Sequence, residues 1–327
     1  MTTIRDVARA AGVSPATVSR VVNGLTGFSA ATKARVEDAA AALGYEPDTL
    51  ARGLKTRQNA VIGVLTPVVS DALTSEILRG VEAAARAREH VVMLGRTGPG
   101  AVHAPGYLRT FRTYRAAGVI LISAEITADM RRALGSATPF VAAAIRDGRA
   151  FPSLAIDDEK AAYDGTRYLL ALGHRRIALL GGDITSRLVN TPRLRGYRRA
   201  MEELRLKPVI AHGDSLYKSA PSALASLLAQ DPGVTAIFAL SDEMAAAAVN
   251  ELQRVGRSVP EDVSVLGFDN TQTAIHVHPA LTTVAQPLER IGRLSVESLL
   301  DGPATSRILP HRILERRSTA ALRVERG

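Results

Sequence analysis

The sequence predicts an α/β fold with parallel sheets, preceded by a small all-α unit. From Ala60 onward short apolar runs take turns with amphipathic helical patterns, as in strands joined by helical crossovers. Residues 1 to 45 carry helical patterns and no strand-like run. Polar residues gather just past the ends of the apolar runs (Thr66, Ser123, Asp157-Asp158, Gly181-Gly182-Asp183, Ser241-Asp242, Asp269-Asn270), where parallel sheets bind small molecules.

In chain order, Ile4, Val7 and Ala8 fall at i, i+3 and i+4 and predict a first helix that Gly12 ends. Ser14 then stands as N-cap, and Pro15 suits the first helical position because its missing N–H is not needed there. Val18, Val21 and Val22 supply the second inward stripe, and a third helix from the cap Ser29 packs Val36, Ala39, Ala40 and Leu43. Helix, glycine turn, helix is a shape that reads the major groove of DNA, with Pro15, Ala16, Thr17, Ser19, Arg20 and Asn23 outward. An ordinary helical hairpin capping a larger domain has the same pattern. Past a boundary near Pro47, strands are expected at 61–65, 91–94, 118–122, 140–143, 154–156, 177–180, 236–240 and 263–267. Helices are expected around 76–88, 160–172, 194–204, 220–229 and 244–255.

Composition narrows the classes. With 327 residues, two or more globular units are expected, and 46% apolar against 22% charged residues is ordinary globular usage. The absence of cysteine removes thiol catalysis, disulfides and Cys-ligated zinc, and suits a reducing compartment. The opening Met1-Thr2-Thr3-Ile4 leads directly into a helical pattern rather than a secretory signal, and no apolar run reaches membrane-spanning length. A cytoplasmic protein with no membrane partner is expected. Lys plus Arg exceed Asp plus Glu by 41 − 32 = 9, which favours a polyanionic partner.

The letters say more than the pattern. The stretch "TIRDVARAAGVSPATVSRVVNG", followed by "FSAATKARVEDAAAALGYEPDTLARGLKT", closely resembles the headpiece and hinge of the lactose-repressor (LacI/GalR) family of bacterial transcription regulators. The resemblance continues in "ALGHRRIALLGG", "RLRGYRRAM", "VPEDVSVLGFDN", "LTTVAQPLERIG" and "ERRSTA", and covers essentially the whole chain. It implies a helix-turn-helix headpiece at 1–45, a hinge helix and linker at 46–59, and at 60–327 an effector-binding and dimerisation domain. That domain would be periplasmic-binding-protein-like, two α/β subdomains with parallel sheets around a cleft.

Carried over residue by residue, the resemblance implies base contacts for Pro15, Ala16 and Arg20, with Arg20 dominant because only it can grip guanine by two hydrogen bonds. It implies mostly phosphate contacts for Ser14, Thr17, Ser19, Asn23, Ser29 and Thr32. In the hinge it makes Leu54 an apolar wedge in the minor groove with Lys55 beside it, although Gly53 weakens that helix and a flexible linker is the alternative. In the cleft it implies Arg193, Asp269, Ser241 and Gln286 as effector contacts, with Asp71 and Leu73 on the opposite wall. Asp269 has the alternative of a turn cap, and Arg193 that of a surface ion pair.

Two departures stand out. Many relatives have Asn-Asp where this chain has Ser241-Asp242, and Asn-Pro-Phe-Phe where it has Asp71-Ala72-Leu73-Thr74, so the aromatic platform for a sugar is missing from that loop. No heptad tail follows "RRSTA", and a homodimer on a pseudo-palindromic operator of double-stranded DNA is expected.

An enzyme is the competing class, with Asp157, Asp158 and His174 as conceivable acid–base groups. The chain lacks the spacings of a nucleotide loop or a metal site, and His174 reads as a turn residue entering a strand. A periplasmic binding module is disfavoured by the DNA-reading front. The expectation is a sequence-specific transcriptional repressor controlled by a small-molecule effector, a sugar or sugar-derived metabolite, with no cofactor and no catalysis. A regulator of the same fold with a corepressor, or with no effector response, is the runner-up.

Overall fold

The computed structural model describes residues 2–22, 24–45, 59–135, 138–146, 151–181, 187–213, 217–302 and 305–322. The chain forms two compact units, Met1–Asn59 and Ala60–Gly327. The expected hinge residues at 46–58, including Leu54 and Lys55, lie outside the described residues, as does Asn23.

The first unit holds α1 (Ile4–Ala11), α2 (Pro15–Val22) and α3 (Ala30–Ala42). A capping box starts α1: the Asp6 carboxylate accepts the Thr3 N–H at 3.0 Å and the Thr3 hydroxyl, and those bonds hold its pKa below the ordinary value. Gly12 ends α1 at φ 67, the left-handed region where a side chain is disfavoured. Val7, Ala8, Ala11, Val18, Val21 and Val36 form the core, with Ala39 and Ala40 packed on its margin. Leu43 departs from expectation: it follows the last turn of α3 and is 39% exposed.

The second unit contains two six-stranded sheets. The first has the order β11-β5-β4-β3-β1-β2 and the second β12-β10-β9-β8-β6-β7. The first comprises β1 (Asn59–Thr66), β2 (Val91–Arg96), β3 (Ala116–Ile122), β4 (Phe140–Ala143), β5 (Ser153–Ile156) and β11 (Arg307–Leu309). The second comprises β6 (Ile177–Gly181), β7 (Val209–His212), β8 (Ala236–Ala239), β9 (Ser264–Asp269), β10 (Thr282–Ala285) and β12 (Arg312–Leu314). Parallel pairing runs through β8, β9 and β10 and through β3, β4 and β5, whereas β12 joins β10 antiparallel. Ignoring the last strand, each sheet has the doubly wound order 2-1-3-4-5, whose reversal point opens a crevice at the carboxyl ends of the strands.

The helices of this unit are α4 (Ala72–Arg86), α5 (Ala104–Thr113), α6 (Ala128–Leu134), α7 (Asp158–Ala171), α8 (Arg187–Glu202), α9 (Ala220–Gln230), α10 (Asp242–Arg254), α11 (Thr273–His276) and α12 (Leu288–Leu300). The chain passes between the subdomains three times: β5 of the first sheet leads into α7, which packs on the second; β10 of the second leads into α12, which packs on the first; and β11 leads into β12. The expected elements that fall on described residues all form. Eight helices and strands that the sequence reading did not name accompany them: α5, α6, α11, α12, β7, β10, β11 and β12.

Candidate functional site

In the first unit, the Ser14 hydroxyl accepts the Thr17 N–H at 3.1 Å and lies 2.9 Å from the Thr17 hydroxyl. Ser29 repeats the arrangement on Thr32, at 3.2 and 2.9 Å. Both serines therefore cap helices, and both helix N-termini turn N–H groups and the positive end of the helix dipole outward, which favours phosphate. Pro15, Ala16 and Arg20 stand exposed on α2, and Thr17 and Ser19 half-buried.

In the second unit, a buried polar network runs along the carboxyl ends of the second sheet. Arg193 of α8 donates from Nε to Asp158 Oδ1 at 2.8 Å and from Nη1 to the Leu240 carbonyl at 2.9 Å. Its guanidinium carbon lies 3.8 Å from the centre of the Phe268 ring, and Nη2 is 3.9 Å from Asp269 Oδ1. Gln286 Nε2 donates to Asp269 Oδ1 at 2.7 Å. Arg193, Asp158 and Asp269 are each no more than about 5% exposed, so the ion pair of Arg193 is buried, unlike the surface pair that was the alternative to a cleft contact.

Asp269 sits at φ 106, a conformation few side chains adopt, at the point where β9 leaves the sheet. Below it, Asp242 of α10 accepts the Thr271 N–H and the Thr283 hydroxyl, both at 2.7 Å, and the Thr271 hydroxyl at 3.1 Å. Only glycine fits at 267, since a Cβ there would stand 2.5 Å from Asp242 Oδ1. Burial pushes the Asp242 carboxyl up to about 6. Burial raises Asp269 well above its ordinary value as well; Arg193 opposes the rise, while the charges of Asp242 and Asp71 add to it. Asp158 is raised by burial against the pull of Arg193.

The other expected contacts have local duties. Asp71 caps α4 by accepting the Thr74 N–H, and burial raises its carboxyl. Ser241 caps α10 by accepting the Met244 N–H at 3.1 Å. Leu73 is half-buried against the core of the first subdomain. Among the described residues, two hydrogen bonds span the cleft between the subdomains: Glu243 accepts the Ala72 N–H at 3.2 Å, and Glu125 accepts the Leu188 N–H at 3.1 Å.

Arg193, Asp269 and Gln286 are thus brought together, and Asp71 lies within electrostatic reach of Asp269. The sequence reading did not assign Asp158, Phe268, Asp242, Thr271 and Thr283 to this network. Their only signal was position, at or beside strand ends. Of the other conceivable acid–base groups, Asp157 caps α7 by accepting the Lys160 N–H at 3.0 Å, and His174 is buried just before β6. Its Nδ1 pairs with the Thr235 hydroxyl at 3.1 Å, and its Nε2 lies 3.1 Å from the Ser264 hydroxyl and 3.0 Å from the Ala320 carbonyl. Burial lowers its pKa, so the ring is neutral near pH 7.

Residues 3–48 match the family model of bacterial regulatory proteins, lacI family, and residues 166–319 that of a periplasmic binding protein-like domain. The chain is 36% identical over 329 residues to catabolite control protein A of Priestia megaterium, covering 97% of this chain and 99% of that protein. Among solved structures, the lac repressor dimer bound to operator and the anti-inducer ONPF is 29% identical, with a TM-score of 0.88 over 98% of this chain and 99% of that one. The transcriptional regulator CelR in complex with cellobiose is also 29% identical, with a TM-score of 0.72 over 97% of this chain and all of that one. With the helix-turn-helix and the two doubly wound subdomains, these likenesses identify the chain as a DNA-binding transcriptional regulator belonging to the lacI family of bacterial regulatory proteins.

Proposed function

We propose that the chain works in the cytoplasm as a homodimeric repressor on a pseudo-palindromic operator, and that a small-molecule effector in the cleft, a sugar or sugar-derived metabolite, changes its operator affinity. The observation that carries the reading is the buried Arg193–Asp158–Asp269–Gln286 network at the strand ends of a regulator's second unit. The lac repressor bound to operator and CelR bound to cellobiose support the two halves by likeness. Domain limits of 1–45, 46–59 and 60–327 belong to the same reading. In it Arg20 reads a base, Pro15 and Ala16 give apolar contact, and Ser14, Thr17, Ser19, Asn23, Ser29 and Thr32 hold phosphates. Leu54 and Lys55 enter the minor groove. Arg193, Asp269, Ser241, Gln286, Asp71 and Leu73 line the effector site. The ligand must bind two conformations unequally, with a coupling of about 1–3 kcal/mol as the usual scale. No catalysis is assigned.

The test is operator binding by the purified chain at fixed salt, on fragments from around its own gene, with and without neutral sugars and nucleosides. A compound that shifts the affinity supports the sensor, and the sign of the shift labels it inducer or corepressor. Specific binding that no compound shifts points to a regulator whose cleft network is structural. Arg20→Ala should cost about 1–3 kcal/mol of operator affinity and relax preference at one base pair. A uniform loss on every sequence would make Arg20 a phosphate contact.

A further inference from the structure

Arginine in a binding cleft usually clamps an anion, because its planar fork offers two parallel N–H groups to a carboxylate or phosphate. Arg193 meets the cleft with its charge already matched. Its Nε donates to Asp158, one N–H of Nη1 goes to the Leu240 carbonyl, and Phe268 covers one face. The second N–H of Nη1 and the two of Nη2 remain, and the nearest carboxyl to Nη2 is that of Asp269 at 3.9 Å.

The buried groups around it are mostly acidic, while Arg146, 3.9 Å from Asp157, acts on Asp158 from the more exposed side, where Lys160, Arg195 and Arg199 also stand. Asp158, Asp242 and Asp269 are buried, with Asp71 and Glu243 at the rim, and Arg193 is the one lysine or arginine so deeply buried among the described residues. Arg316 offsets part of this from the far side of Asn270, where it is bonded to Asn270 Oδ1 and the Leu281 carbonyl. Asp158 itself is fixed by the crossover: it opens α7 directly after β5, and α7 and α8 touch so closely that a Cβ on Gly196 would stand 2.1 Å from the Glu159 carbonyl oxygen.

We infer that Asp158 is the specificity-determining residue of this cleft: by committing the charge of Arg193 it restricts the effector to uncharged, hydroxyl-bearing molecules and turns away carboxylated and phosphorylated ones. This rests on the reading of the cleft as the effector site and narrows its ligand class. A neutral polyol satisfies what is left, accepting one bond from Nη2 and donating hydroxyls to Asp269 and Asp71. An anion meets an arginine whose charge Asp158 already balances, with the Asp269 and Asp71 carboxyls facing it.

Calorimetric titration of the full chain with inorganic phosphate tests this without operator DNA, so its failure is separable from that of the regulatory reading. Wild type should show no saturable phosphate binding that depends on Arg193, and phosphate heat that persists in Arg193→Met belongs to exposed arginines, as expected. Asp158→Asn, which keeps the side-chain shape, should bind phosphate about tenfold or more tighter than wild type, and Asp158→Asn/Arg193→Met should lose that gain. Saturable phosphate binding by wild type that Arg193→Met abolishes would overturn the inference. So would a folded Asp158→Asn with no gain; Asp158→Ser serves as the second probe if the asparagine variant does not fold.

Discussion

Asp242 illustrates how little a residue's identity fixes its behaviour. In the sequence it reads as half of a departed Asn-Asp pair; in the fold it is a buried acceptor for one backbone N–H and two hydroxyls. Those bonds favour its charge, yet burial wins and lifts the carboxyl from 3.8 to about 6. A carboxyl raised in the fold binds more protons folded than unfolded between those two values. Its contribution to stability is therefore fully present below pH 3.8 and is lost as pH rises through 6. Carbon-13 NMR should place the Asp242 midpoint near 6, and Asp242→Asn should lose this falling component of the stability profile; a midpoint near 4 would mean that the three bonds outweigh burial. Arg193 teaches the same lesson in a larger setting. Its type suggested a pocket, but the partner that commits it, Asp158, is 35 residues away, and nothing in the sequence near Arg193 names it.

At the scale of elements, legibility followed length and amphipathic contrast. The helices of the first unit were readable because their apolar stripes and caps are local: Gly12, Ser14 and Ser29 do what their letters predict. Most of the elements not named have weak local signals; α12 is the exception, since its 13 residues bury Leu288, Ile291, Val296 and Leu299 along one stripe that the sequence already showed. The strands β7 and β10 have four residues each and β11 and β12 three, while α5 begins with Pro105 at its second position. Their form is decided by the sheet neighbours that receive them. Helix packing shows the same dependence. Gly196 would gain about 1 kcal/mol of helix propensity as alanine, but the new Cβ would stand 2.1 Å from a backbone oxygen of α7. The clash prevails, because overpacking costs about 1–3 kcal/mol and backbone cannot swing aside. Gly196→Ala should lower stability in denaturant unfolding and, by parting α7 from α8, pull Arg193 off Asp158. A variant as stable as wild type would mean that the helices separate freely.

For the whole molecule, the regulatory reading makes two headpieces act on one DNA site. Half-sites lie about 10–10.5 base pairs, one helical turn, apart centre to centre. Inserting about five base pairs between the half-sites turns one to the opposite face of the duplex and should reduce binding to the non-specific level in a mobility-shift assay at fixed salt. Unchanged affinity would mean that one headpiece binds alone. By itself the sequence determined the class of each unit and the family, because helix stripes, caps, strand alternation and motif letters are properties of neighbouring residues. The tertiary structure alone decided the chemistry of the cleft. Asp158 meets Arg193 across 35 residues, Gln286 meets Asp269 across 17 and Thr283 meets Asp242 across 41. Such meetings depend on sheet order, on crossovers between two subdomains and on how closely α7 and α8 pack, and no local pattern encodes them.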